Sequence, residues 1–183
     1  MLDYQDLTYA FDLVNLPKFV LVDIANEIGL PGTNLNVIDL ATGIYEKCNK
    51  DRRNWSIAIP CAEKYLFAGK TSVCWYNFCC INNQKTILEI ITDKIGFNPL
   101  QQKNTDIQDA NITTSPRIVG GKALSDDNSQ YLLRLVFKSC VKRKYNGFTL
   151  SSESIPTFVT VIVDEGKKFI EVRGNDKTAK KIE

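Results

Sequence analysis

Alternation of apolar and polar residues is most regular near the end of the chain, where it predicts a β-hairpin over residues 155–173. Residues 158–164 are almost all apolar and mostly β-branched, which is typical of a strand covered on both faces. Gly166 lies in the turn that follows and is the residue expected to adopt a positive φ. A polar loop over residues 151–154 is expected to lead into the hairpin. Alternate residues of the returning strand share one face: Phe169, Glu171 and Arg173.

Four segments upstream have less regular patterns. Residues 131–140 predict a strand before the Asn-Gly pair at residues 146–147, a dipeptide typical of hairpin turns. Residues 72–81 are aromatic and β-branched, which favours a buried strand. Residues 85–95 fit a helix because apolar residues recur at helical spacing, with a strand as the alternative. Residues 97–130 are polar and irregular, which predicts a long loop with at most one short strand.

Apolar residues at helical spacing predict three helices within residues 1–50. Asp6 is a candidate N-cap of the first helix, and Pro17 suits the first position of the second. Gly29 suits the C-terminal end of that second helix, because glycine adopts the left-handed conformation there. Asp176 is a candidate cap for a short helix at the end of the chain.

These elements predict an α+β chain with two parts. Residues 1–53 form an N-terminal helical module, and residues 54–183 form a mostly antiparallel, β-rich domain with one helix. The boundary is placed at the charged junction that follows the third helix. Residues 55–67 fit either a fourth helix or a strand, and Pro60 argues against one continuous element.

Charge is distributed unevenly along the 183 residues. Residues 1–116 carry 10 Lys and Arg against 13 Asp and Glu, whereas residues 117–183 carry 13 against 8. An acidic first part and a basic last part predict different partners for the two.

The basic residues of the last part alternate with aromatic residues, notably Tyr145, Phe148 and Phe169. Cations neutralise phosphates and aromatic rings stack on bases, so the pattern predicts nucleic-acid binding with little reading of sequence. The alternative is that these cations are solvated residues that protect sheet edges. The predicted nucleic-acid-binding residues are Arg134, Lys138, Lys142, Arg143, Lys144, Lys167, Lys168, Arg173, Lys177, Lys180 and Lys181.

The chain contains no histidine, which excludes Ser-His-Asp and Cys-His catalysis and imidazole metal sites. No cysteines form a C-x-x-C pair, so we predict no metal, no cofactor and mostly buried thiols. The cysteines are Cys48, Cys61, Cys74, Cys79, Cys80 and Cys140.

Carboxylates near the predicted hairpin turn provide an enzymatic alternative. Asp164, Glu165 and Glu171 lie near Lys167 and Lys168, a set loosely similar to that of metal-dependent nucleases. Arg173 stands two residues after Glu171, where such sets have lysine, and arginine cannot deprotonate to assist the reaction.

The run LPKFVLVDIANEIGLPGTNLNVIDLATGIYEKC resembles small helical modules of the death-fold type, most of all the effector-associated domains of bacterial conflict systems. This resemblance implies a homotypic adaptor in an antiviral defence system. The same run also resembles a SAP motif around Gly29, Leu30 and Ile44, which would imply DNA binding. Residues 1–47 carry seven acids against Lys18 and Lys47, which would repel phosphate. The order of parts, helical and then β-rich, is also similar to that of centromere N-type proteins.

We therefore predict a non-enzymatic binding protein whose β domain contacts nucleic acid or an acidic partner through a basic face. The helical module is expected to contact another protein. A homotypic death-fold adaptor and a carboxylate-based nuclease are the alternatives. No run is apolar enough to span a bilayer, and Asp3 and Asp6 follow Met1 where an export signal would be basic. We therefore expect a cytoplasmic protein with no membrane partner.

Overall fold

The computed structural model describes residues 1–31, 34–66, 72–78, 85–108, 111–145, 147–174 and 176–182. The chain divides into a helical unit, Asp3–Lys70, and a β-rich unit made of Met1–Leu2 and Thr71–Glu183. This confirms the predicted α+β class. The predicted boundary after residue 53 falls inside the helical unit instead, because one more helix follows it.

The helical unit contains α1 (Tyr4–Leu7), α2 (Ala10–Val14), α3 (Lys18–Glu27), α4 (Val37–Lys50) and α5 (Arg53–Leu66). The predicted helical spacing is confirmed, since Leu21 and Ile24 of α3 and Leu40 and Ile44 of α4 are fully buried. Gly29 ends α3 with a φ of 66°.

The first predicted helix is two short helices, and the prediction that Asp6 caps it is wrong. Asp3 is the N-cap of α1, and its backbone N–H donates to the Asp6 carboxylate at 3.0 Å in a reciprocal capping box. A new start at Tyr9 begins α2, with Asp12 accepting from the Tyr9 N–H at 2.9 Å. The break allows both Leu7 and Leu13 to be fully buried.

Pro60 lies inside the continuous helix α5, against the prediction that it would interrupt the element. A helix-interior proline costs about 3 kcal/mol because it lacks the N–H and crowds the preceding turn. Burial of a whole helix face offsets this cost, with Trp55, Ala58 and Ala62 all buried. The Trp55 ring also contacts Tyr45 edge-on at 6.0 Å between centroids. Tertiary packing therefore outweighs local propensity here.

The β-rich unit is a five-stranded antiparallel sheet with the strand order β1-β5-β4-β3-β2. Its elements are β1 (Val73–Asn77), α6 (Ile87–Ile95), β2 (Arg117–Ala123), β3 (Gln130–Tyr145), β4 (Leu150–Asp164), β5 (Phe169–Arg173) and α7 (Asp176–Ile182). The helix predicted over residues 85–95 is confirmed as α6, which Thr86 caps and Gly96 ends with a φ of 81°.

One face of the sheet carries the main core of this unit. Val159, Val161 and Val163 point to that face, where Ala179 of α7 is fully buried among them. The other face is also covered around Thr160, so the prediction that residues 158–164 are packed on both sides is confirmed. The remaining buried members of the core are Leu100, Tyr131, Leu133, Leu135, Phe137 and Val172.

Two strand predictions and one turn prediction differ from the structure. β1 is an edge strand with Trp75 exposed, rather than a buried one. Residues 151–154, predicted as a loop, continue β4 because they pair with β3. Positive φ occurs at Lys168, with a φ of 58°, and not at Gly166.

No helix in the described part of the chain has the length and apolar character needed to cross a bilayer.

The outer edge of β2 is covered by the preceding chain. The Gly121 N–H donates to the Pro99 carbonyl at 2.7 Å, and the Asn104 N–H donates to the Val119 carbonyl at 2.7 Å. Such coverage satisfies an edge that would otherwise invite pairing with another chain. On its other side, β2 approaches β3 so closely that position 121 requires glycine. A Cβ there would lie 2.5 Å from the Leu132 carbonyl oxygen and 2.8 Å from a Leu133 methyl.

We expect Gly121→Ala to destabilise the protein by about 1–3 kcal/mol, because the added methyl group would force the β2 and β3 backbones apart. Chemical denaturation monitored by circular dichroism measures this change. Gly166→Ala is the matched control, since its Cβ would meet the nearest atom at 3.5 Å. Equal stability of the two variants would contradict the proposed close approach.

Candidate nucleic-acid interface

β3 and β4 continue beyond their neighbours as a two-stranded ribbon. The pairing of β2 with β3 ends at Val136, and the pairing of β5 with β4 ends at Thr160. β3 and β4 remain paired with each other as far as Tyr145 and Leu150. We call residues 139–145 and 147–156 the arm. At about 3.3 Å per residue the arm extends the sheet by roughly 20 Å.

The arm is basic. Lys142, Arg143 and Lys144 are consecutive on its β3 strand, and Glu153 is its one acidic residue. Lys138 lies at its root, where the Lys138 backbone N–H donates to the Thr113 carbonyl at 2.7 Å. Four of the predicted cations therefore lie on or beside one projecting element.

A β-bulge at the root of the arm decides which cations share a face. Lys138 pairs with Pro156, whereas Cys140 pairs with Ile155, so β3 has one extra residue between these pairs. The alternation along β3 therefore reverses at this point. As a result Arg143, at an odd position, lies on the same face as Arg134 and Lys138 at even positions.

The end of the arm exposes large apolar side chains. Phe148 is 96% exposed and Tyr145 is 73% exposed, and Leu150 beside them is also mostly exposed. The Tyr145 hydroxyl donates to the Gly147 carbonyl at 2.9 Å, which holds the ring across the turn. Exposed aromatic rings next to cations are typical of surfaces that contact nucleic acid.

The remaining predicted cations lie elsewhere, so the eleven do not form one surface. Lys167 and Lys168 are exposed in the turn at the opposite end of β4, about 40 Å from Arg143 along the strand. Lys177 and Lys180 are exposed on α7. Their helix neighbour Lys181 has its Nζ 5.1 Å from the centre of the Phe137 ring.

Arg134 and Arg173 have structural roles within the sheet. Arg134 is buried, donates from Nη1 to the Thr160 hydroxyl at 2.8 Å and lies over the Phe158 ring at 5.5 Å. Arg173 donates from Nε to Glu171 at 2.7 Å, and both side chains are mostly buried. Thr160 pairs with both arginines, so all three lie in one row across β3, β4 and β5.

We expect Arg134→Met to destabilise the protein by about 1–3 kcal/mol, because the buried Thr160 hydroxyl loses its partner. The double variant Arg134→Met/Thr160→Val should recover part of that loss, since both polar groups are then absent. Urea denaturation measures both changes. Arg143→Met is the exposed control and should change stability by no more than about 0.5 kcal/mol. An equal loss in Arg134→Met and Arg143→Met would contradict the assignment.

The three carboxylates considered for metal chemistry each serve the fold. Asp164 accepts from the Lys167 backbone N–H at 2.7 Å, and Glu171 pairs with Arg173. Glu165 accepts from the Tyr131 hydroxyl at 2.9 Å and from the Leu88 N–H at 3.1 Å.

Burial and the neighbouring Glu165 carboxylate raise the pKa of Tyr131 well above its ordinary value, so its hydroxyl stays a donor. Within the described residues, no three acidic or cysteine side chains are grouped as metal ligands.

The cysteines differ in environment. Cys48 is buried in α4, Cys61 is exposed on α5 and Cys74 is half-buried, and all three are free thiols. Cys61 is therefore an exception to the predicted burial of most cysteines. Cys79 and Cys80 lie outside the described residues. Burial raises the pKa of the Cys48 thiol to about 11, so little reactive thiolate forms near neutral pH.

We expect iodoacetamide at pH 8 to alkylate Cys61 at least about tenfold faster than Cys48, because Cys48 is buried and mostly protonated there. Raising the pH toward 11 should increase the Cys48 thiolate fraction, while burial still slows reagent access. Peptide mapping by mass spectrometry over time measures both rates. Comparable rates at pH 8 in folded protein would contradict the burial of Cys48, and unfolded protein in urea provides the control.

Sequence reasoning named the cations and aromatic residues of the arm but missed the arm itself. The signal was present: polar residues on both sides of the Asn-Gly pair predict strands with little core to cover them.

Comparisons with protein-family models, curated proteins and solved structures gave no match for this chain. The likeness of the helical segment to death-fold modules, and its contact with another protein, stay predictions.

Proposed function

We propose that this protein binds double-stranded DNA through its arm, without catalysis. The observation that carries the proposal is the projecting ribbon with three consecutive cations and exposed aromatic residues at its end. The B-DNA major groove is about 12 Å wide and admits a two-stranded β-ribbon. A ribbon roughly 20 Å long is sufficient to enter the groove and contact the phosphates on either side.

The anchoring of the arm in the sheet supports the same proposal. An isolated two-stranded hairpin is only marginally stable in water. Here both strands of the arm continue directly into the centre of the sheet, where Phe137 and Val159 are buried. The arm therefore projects from a packed core, which lowers the entropy lost when it enters a groove.

Charge supports binding that depends weakly on sequence. The arm carries Lys142, Arg143 and Lys144 against Glu153, which favours contacts with phosphates. Side chains that contact phosphates position a protein on the duplex and carry no sequence information directly. We therefore expect affinity to fall steeply with salt and to vary little with DNA sequence.

Replacing Lys142, Arg143 and Lys144 together by glutamine should weaken binding to duplex DNA at least about tenfold at low salt, because each cation displaces counterions from a phosphate. The slope of log affinity against log salt should decrease by about 0.9 for each phosphate that the variant no longer neutralises. Fluorescence anisotropy of a labelled duplex, titrated at several salt concentrations, measures both quantities.

The matched control replaces Lys167, Lys168 and Lys180 by glutamine, which removes the same charge away from the arm. It should bind within about twofold of the wild type if the arm binds the phosphates. Double-stranded RNA is a second control, since its deep, narrow major groove does not admit a ribbon. Equally weakened binding in the two triple variants, or equal affinity for DNA and RNA duplexes, would contradict binding through the arm.

A further inference from the structure

A cleft of about 910 Å³ lies within the β-rich unit, far larger than a packing defect. Its floor is the apolar face of the sheet, its wall is α6, and α7 borders it at Ile182. Ligand sites in proteins commonly have volumes of about 300–1,000 Å³. The floor residues are Leu133, Leu135, Val161, Val163, Ile170 and Val172.

The wall formed by α6 is apolar but only half-buried. Ile87, Ile91 and Ile95 recur at helical spacing and line the cleft. None of the nine residues of α6 is buried, although the helix is capped at both ends and is strongly amphipathic. An ordinary core helix buries such a stripe against its sheet. Here Ile87 and Ile91 pack against the core of the sheet but stay only half-buried, so part of the apolar surface of α6 remains exposed to the cleft.

The rim of the cleft is positively charged. Lys94 lies in the last turn of α6, and Arg117 is the first residue of β2. Lys103 and Lys181 also line the cleft, and Asp106 is the one acid among the described lining residues. An apolar interior with a cationic rim is complementary to a molecule that has an apolar chain and an anionic end.

We propose that this cleft binds a single-chain amphiphile with a terminal carboxylate, of the fatty-acid type. The alkyl chain of the ligand lies between Val161 and Val172 of the sheet and the isoleucines of α6. The carboxylate contacts Lys94 and Arg117 at the rim. This site is separate from the arm, so its test does not depend on DNA binding.

Affinity should increase with chain length and then level off. Burial of each added methylene strengthens binding by up to roughly fourfold, until the chain fills the cleft. Competition of octanoate, decanoate, laurate and myristate against the fluorescent fatty acid cis-parinarate measures this series below the micellar concentration of each. The same affinity across the series would overturn the proposal.

The anionic end is tested in two ways. Dodecanol has the same chain as laurate without the charge and should bind roughly fivefold or more weakly, because it lacks the charge-assisted hydrogen bonds. The variant Lys94→Gln/Arg117→Gln should lower laurate affinity by a similar factor and leave dodecanol unchanged. Lys177→Gln/Lys180→Gln removes the same charge from α7 outside the cleft and should bind laurate as the wild type does. Equally reduced affinity in both double variants would overturn the placement of the carboxylate.

The location of the ligand's alkyl chain is tested by substitutions that fill the cleft. Ile91→Trp should abolish laurate binding, and Ile87→Trp is a second variant in case the first fails to fold. Circular dichroism and thermal unfolding establish which variant is folded. Laurate should also raise the melting temperature of the wild type, because it binds the folded state alone. Undiminished binding in a folded tryptophan variant would overturn the proposal.

Vesicles of phosphatidylglycerol present similar chemistry on a membrane surface. If the ligand is a single molecule, the protein should bind monomeric laurate under conditions in which it does not sediment with these vesicles. Binding to vesicles without binding of monomeric laurate would overturn the proposal.

Discussion

The antiparallel pairing of β3 with β4 is the interaction on which the β-rich unit depends. It runs from Gln130 and Asp164 at one end to Tyr145 and Leu150 at the other, longer than any other strand pairing of this sheet. Its inner half buries the valines and leucines of the core, whereas the side chains that the structure describes near the end of its outer half, such as Tyr145 and Leu150, are exposed. The arm is therefore stable only because its strands begin in the core.

Alternate side chains of β3 and β4 point to opposite faces of the sheet, and the two faces differ in chemical character. One face carries the apolar floor of the cleft, and the other carries the row of Arg134, Thr160 and Arg173. Burying two guanidinium groups is unfavourable unless they are bonded, and each has a partner within that face. Cations that look alike in the sequence thus have different roles, set by whether the sheet covers them.

The residues of the arm show how far local sequence reaches. The Asn-Gly dipeptide and the alternation of residues 131–138 predict a hairpin and its faces correctly. They do not reveal the bulge between Lys138 and Cys140, because an extra residue changes only the pairing with a distant strand. A one-residue shift reverses every face beyond it, so assigning Arg143 to a face required the register. Pro60 shows a different kind of error. Proline does disfavour the interior of a helix, but the packing of α5 against distant residues outweighs that local preference.

The sequence alone determined the α+β class, the helical spacing of α3, α4 and α6, the faces of β5 and the excess of cations in the last part of the chain. These features depend on residues a few positions apart, whose spacing is set by the backbone geometry of helices and strands. Only the tertiary structure decided which cations are buried, how far the arm projects and that α6 faces a cleft. Those properties arise from contacts between segments tens of residues apart, which no local pattern of residues records.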